Sequence, residues 1–147
     1  MAFANYSELQ TEILAYTERS NQSAKVPGFI QLAEAKLNRK LSAVETDTTL
    51  TVTVGSRSID ISSLSLIAPI TLHIVVGGDE IEVTQKDDGD ILYLQANAQP
   101  TEYAIDGTNI DFDSPCDQAY SFRFRYRERF ALSDASPTNW LLTNHPA

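Results

Sequence analysis

Nucleophilic and acid–base chemistry need histidine, cysteine or paired carboxylates, and this sequence offers little of it. The histidines are His73 and His145, and the one cysteine is Cys116. His73 falls inside an apolar run, His145 precedes a proline, and Cys116 sits in the loop-like stretch Ser114-Pro115-Cys116-Asp117. A cysteine nucleophile needs a base within hydrogen-bond reach, and no known local signature surrounds any of the three. Zinc asks for clustered nitrogen and sulfur ligands, and these residues lack that spacing. Asp87, Asp88 and Asp90 supply oxygens of the kind calcium takes, but Asp-Asp-Gly is first of all a turn former. Asp111 and Asp113 alternate with Ile110 and Phe112, which puts both acids on the wet face of a strand. A hydrolytic pair would need a further carboxylate across a cleft. Gly77-Gly78 and Gly107 read as turn glycines, outside any phosphate-cradling motif. The expectation is a protein with no catalytic residue, no metal site and no cofactor.

The segment Tyr120 to Phe130 carries more information. Tyr120, Phe122, Phe124 and Tyr126 fall on one face of a strand, and Ser121, Arg123, Arg125 and Arg127 on the other, with Arg129 next along. The aromatic row belongs to a core. The arginine row reads in two ways. It is a solvated sheet face neutralised by acids on neighbouring strands, or an electrostatic strip that meets the acidic surface of another subunit. The planar guanidinium suits the second use, because it grips a carboxylate at two points. Trp140, the only tryptophan, is either an anchor pinning the last segment onto the helices or an exposed interface anchor. The candidate interface residues are thus Arg123, Arg125, Arg127 and Trp140, together with Arg39 late in the second expected helix.

The scaffold for these residues is one modest domain. The chain has 147 residues, of which 42% are hydrophobic and 21% charged, enough for a packed core. Its formal net charge of −9 repels phosphate backbones, which argues against a general nucleic-acid binder. The same charge would keep a free subunit soluble and would equally suit a wall that DNA slides past, and charge alone does not separate the two. A single cysteine rules out an internal disulfide framework. The first residues lack the pattern of a signal peptide, and no stretch approaches the roughly 20 apolar residues of a membrane span.

Local patterning predicts an α+β fold. Residues 1-46 read as a helical pair, 47-132 as an antiparallel β-sandwich or barrel, and 133-147 as a short C-terminal helical turn. Ser7-Glu8-Leu9-Gln10 looks like a capping box, followed by Leu9, Ile13 and Tyr16 at helical spacing. Ser20-Asn21-Gln22-Ser23 breaks the pattern, and Pro27 suits the first turn of a second helix. Ile30, Ala33, Leu37 and Leu41 form the expected apolar stripe of that helix. Glu34 comes early and Lys36, Arg39 and Lys40 late, matching the helix dipole. Neither helix is long enough to stand alone. From Thr48 the period falls to two. Strands are expected around Leu50 to Val54, at Ile59 and Ile61, and over Ile70 to Val76, Ile81 to Thr84 and Ile91 to Gln95. Others are expected over Glu102 to Ile105, Asn109 to Phe112 and Ala119 to Phe130. Asp106-Gly107 marks a tight hairpin.

Three stretches together resemble a known family. They are Pro27-Gly28-Phe29-Ile30-Gln31-Leu32-Ala33-Glu34-Ala35-Lys36-Leu37-Asn38-Arg39, Tyr103-Ala104-Ile105-Asp106-Gly107-Thr108-Asn109-Ile110, and Leu132-Ser133-Asp134 followed by Thr138-Asn139-Trp140-Leu141-Leu142-Thr143-Asn144-His145-Pro146. In order and spacing they resemble the head–tail adaptor (connector) proteins of tailed bacteriophages. The third stretch is the most specific of the three.

The resemblance implies a virion structural protein and not an enzyme. It implies rings of about twelve copies that dock beneath the portal protein, extend the DNA channel and receive tail or neck proteins. The partners implied are therefore portal, tail or neck proteins, and the chain itself. DNA is implied only as passing cargo, and no membrane is involved. The implied location is the head–tail junction, after assembly in the host cytoplasm. Members of this family usually continue past the His-Pro with a long helix, whereas this sequence stops at Ala147. Without that helix, the stripe on Ile30, Ala33 and Leu37 is expected to lack part of its cover, which itself favours assembly. Two other readings stand beside this one. The first is another neck, tail or baseplate protein. The second is a carbohydrate- or ligand-binding β-sandwich with Tyr93 and Tyr103 as an exposed aromatic pair.

Overall fold

A computed structural model of the chain describes residues 5–41, 44–138 and 143. The C-terminal helical turn expected over 133-147 lies outside the described residues beyond Thr138, apart from Thr143, as do Trp140 and His145. The chain divides into two compact units, Met1–Val44 with Arg129–Ala147, and Glu45–Glu128.

The first unit holds helix α1 (Tyr6–Thr17), a 3-10 helix (Ser20–Lys25) and helix α2 (Val26–Leu41). The cap of α1 is Asn5, not Ser7. Asn5 is extended, and its side chain accepts from the Glu8 backbone N–H at 3.0 Å and donates to Glu8 Oε1 at 3.0 Å. Asparagine caps as well as serine does, and Glu8 stands three residues on, so the capping pair starts two residues earlier than the Ser7 reading. At the other end Glu18 closes α1 in the left-handed region at φ 52°, a place that favours glycine.

The buried face of α2 also differs from the expected stripe. It runs through Val26, Ile30, Glu34 and Asn38, whereas Ala33 and Leu41 are exposed and Leu37 is half-buried. The physical reason is what lies against it. Tyr6, Val26, Ile30 and Leu132 form a small apolar cluster, with Leu9, Ile13 and Leu14 packed beside it. Further along, the face meets the backbone of the returning chain. Asn38 Nδ2 donates to the Phe130 carbonyl at 2.8 Å, and the Phe130 N–H donates to Asn38 Oδ1 at 3.1 Å. The Leu132 backbone hydrogen-bonds Glu34. An extended segment presents polar groups that need polar partners when buried, so polar side chains occupy positions that patterning reserves for apolar ones.

The second unit is a seven-stranded sheet in the order β1-β7-β3-β4-β5-β6-β2. The strands are β1 (Glu45–Val52), β2 (Ser58–Asp60), β3 (Leu66–Val76), β4 (Asp79–Gln85), β5 (Glu102–Asp106), β6 (Asn109–Phe112) and β7 (Tyr120–Glu128). The outer strands β1 and β2 come together, so the sheet curls into a near-barrel. It is mixed, which corrects the antiparallel expectation: β5 pairs β4 in parallel at Thr84↔Glu102 and Gln85↔Tyr103. Residues 86–101 carry the chain back far enough for β5 to start in the same direction, as a parallel pair requires. Ile91 to Gln95 lies in that return and is not a strand. Its alternating apolar residues meet no continuous strand edge, and Leu94 makes a single backbone bond to the Asp113 carbonyl.

The core of this unit is built on the inward row of β7. Tyr120, Phe122, Phe124 and Tyr126 are buried with Leu72, Ile74, Val83, Ile110 and Phe112. Phe112 stacks on Phe122 with centroids 4.8 Å apart, and Phe124 on Tyr126 at 5.2 Å. The hairpin from β3 to β4 turns at Gly77 and Gly78, both at positive φ, where a side chain would be strained. Pro69 sits in β3 before the β4 pairing begins, at a register irregularity, where its missing N–H is tolerated.

Candidate protein interface

Because β7 runs between β1 and β3, its outward arginines have strands on both sides. Arg123 faces Thr49 on β1 and His73 on β3, and Arg125 faces Asp47 and Thr71. The long side chains reach diagonally. Arg123 Nη2 lies 2.8 Å from Asp47 Oδ2, and Nη1 lies 3.1 Å from Glu80 Oε1 across β3 on β4. Arg125 pairs with Glu45 at 3.2 Å and more loosely with Asp47 at 3.9 Å. The hydrogen bond from Arg123 holds the Asp47 carboxyl below its ordinary range, and Asp47 and Glu80 in turn raise Arg123. Two of the three arginines are thus engaged inside the unit, tying β1, β7 and β4 over the sheet face. Exposed pairs of this kind contribute little singly and more as a network. Arg127 is exposed and has no ion-pair partner among the described residues.

Arg39 is exposed on α2, with its Nε donating to the Ala35 carbonyl at 3.1 Å. Trp140 lies outside the described residues. The structure therefore joins Arg123 and Arg125 in one network and leaves Arg39 on a separate unit.

The residues whose types could do chemistry are placed elsewhere. Cys116 is fully buried in the core, and burial with Asp117 and Asp113 nearby pushes its thiol up to about 11. His73 is on the outer face of β3, with its Nδ1 buried and without a hydrogen-bond partner among the described residues. Asp113 is not on a wet face. The β6 strand stops at Phe112, and Asp113 turns inward to accept from the Thr101 N–H at 3.1 Å and the Thr101 hydroxyl at 2.7 Å. Asp111 is half-buried, and burial together with Asp106 and Asp88 raises its carboxyl. Asp88–Asp90 form a short 3-10 turn. Among the described residues no cluster of His, Cys, Asp and Glu side chains is arranged to hold a metal.

The aromatic platform is not formed. Tyr103 is 1% exposed and belongs to the core. Tyr93 lies under the Arg57 guanidinium, 5.2 Å from ring centroid to Cζ, and donates to Asp88 Oδ1 at 2.9 Å. Burial and that bond push the Tyr93 phenol up to about 12. The β5–β6 register accounts for the burial of Tyr103, which faces Phe112 across an inward-facing pair.

One family model matches the chain over residues 4–147, and its description is SU10 adaptor protein. No curated protein matches.

Proposed function

We propose a role that starts from the family: the chain belongs to the SU10 adaptor protein family, and such an adaptor is a structural component of a phage virion, not an enzyme. In this reading the protein is a head–tail adaptor subunit. It assembles into a ring of about twelve copies beneath the portal, joins capsid to tail or neck proteins, and surrounds the DNA channel. The observation that carries the reading is the family match along nearly the entire chain. The charge supports it, because a net charge of −9 lets DNA pass a wall without adhering. Arg127, Arg39 and Trp140 are the interface residues this reading favours, since Arg123 and Arg125 already hold carboxylates of their own unit.

The test is localisation. Cryo-electron microscopy of the virion is expected to show density for this chain between portal and tail. Purified portal mixed with the protein is expected to yield rings. Density in the baseplate instead, together with no binding to portal, would refute the head–tail assignment and favour another tail component.

A further inference from the structure

The two helices of the first unit carry opposite charge on the faces they leave in water. Opposite the buried row of α2, the side chains of Phe29, Leu32, Lys36, Arg39 and Lys40 share one helical face. Phe29 is 57% exposed and Leu32 56%, so the N-terminal half of this face is apolar and the C-terminal half basic. The one carboxylate of α2, Glu34, is turned into the unit. On α1 the order is reversed in sign and position. Glu8, exposed, and Glu12, half-buried, lie toward its start, and Tyr16, 92% exposed, lies near its end. No basic residue occurs between Tyr6 and Thr17. Among the described residues Lys36, Lys40 and Glu12 have no ion-pair partner, and Arg39 bonds a carbonyl of its own helix.

Within one chain these two faces do not meet, because α1 and α2 approach through the opposite sides that carry Tyr6, Val26 and Ile30. We infer that they meet between copies: α1 of one subunit docks antiparallel across the exposed face of α2 on the next. Tyr16 then covers Phe29 and Leu32, and Glu12 with Glu8 faces Lys36 and Lys40. Antiparallel packing is the arrangement that brings the apolar ends together and the opposite charges together. It also sets the two helix dipoles against each other favourably. The occupant is a second copy because both halves of the match, apolar and ionic, are present on this chain. The contact joins different surfaces of the two partners, so it repeats from subunit to subunit and generates a ring or a filament instead of a closed dimer. This deepens the assembly proposed above by naming its surfaces, yet it is testable on the isolated protein.

Sedimentation velocity of the full chain over a range of concentration and salt provides the test. Wild type is expected to self-associate, more weakly at high salt. Leu32→Asp is expected to lower the association constant at least about tenfold. Glu12→Lys alone, and the double variant Lys36→Glu with Lys40→Glu, are each expected to be monomeric while keeping the wild-type helical circular dichroism. An equimolar mixture of those two is expected to associate again, since each retains the face that the other has lost. A wild type that stays monomeric throughout would overturn the inference. So would Leu32→Asp associating like wild type, or a mixture that stays monomeric. Absence of the protein from virions would count against the adaptor role and leave this contact standing.

Discussion

Asn38 offers the sharpest test of how the helical unit holds the returning chain. Its side chain is 8% exposed and makes a two-pronged contact with Phe130, donating at 2.8 Å and accepting at 3.1 Å. Replacing it with alanine removes two hydrogen bonds, each contributing about 1 kcal/mol net. It also strands a backbone N–H and a C=O that are shielded from water. Stranded groups cost about 1–3 kcal/mol each when buried, but the space left by the side chain admits water, which places the total near 2–4 kcal/mol. Asn38→Leu fills the space and excludes that water, so it is expected to cost at least as much as alanine despite better packing. Asn38→Asp keeps the acceptor and loses the donor, and should fall with the other two. Urea unfolding followed by helical circular dichroism gives the size of the loss, and hydrogen exchange at the Phe130 amide gives its location. If Asn38→Ala costs under about 0.5 kcal/mol and Phe130 stays protected, the contact does not anchor the segment and the reasoning fails.

Four further outcomes follow from the same structure. Glu18→Gly should stabilise α1 by about 0.5–1 kcal/mol, measurable as a raised unfolding midpoint, because glycine takes the left-handed φ of 52° without strain. Burial raises the Glu34 carboxyl above its ordinary 4.5, so ionising it costs more in the folded unit than in the open chain. Stability is therefore expected to rise as pH falls from neutral through the folded value, and Glu34→Gln should flatten that rise. Asp47 behaves with the opposite sign. Its carboxyl is held below 3.8, so its contribution is present above that value and lost as pH falls further. Arg123→Ala should shrink that loss, with Arg125 still beside the carboxyl, as read from acid titrations of the two proteins. Cys116, buried and pushed up to about 11, should resist alkylation at neutral pH until the β unit unfolds, and labelling at the rate of a free thiol would contradict its placement.

Much of the β unit is legible in the sequence because its signals are local. The aromatic alternation of Tyr120 to Tyr126 needs only a period of two to declare an inward face, and Gly77-Gly78 and Asp106-Gly107 mark their hairpins by residue type. What is not legible depends on neighbours distant in the chain. The arginine row is visible, but its partners are not, because they follow from strand order. Only when β7 lies between β1 and β3, with β4 beyond, do Asp47 and Glu80 come within reach of one guanidinium. The parallel pairing of β5 depends on the path of residues 86–101, which no period describes. Alternation puts Asp113 on the wet face only because the pattern runs one residue past Phe112, where its strand ends.

The α2 helix shows the deepest of these failures. Hydrophobic patterning assumes that whatever covers a helix is itself apolar. Here the cover is partly backbone, the segment from Phe130 to Leu132, whose amide groups select Asn38 and Glu34 for the inner face. Phe29 and Leu32 then remain outside, on the side that also carries Lys36 and Lys40. An apolar pair left exposed beside cations that have no ion-pair partner among the described residues, on a helix whose own carboxylate is turned inward, is poorly explained as a monomer surface. The same substitution of partners that defeats the pattern rule thus produces the surface that the inferred contact between copies would cover. Asn38 and Leu32 should accordingly separate in experiment. Asn38→Ala is expected to weaken the fold, and Leu32→Asp is expected to leave the unfolding midpoint near wild type and weaken only the association.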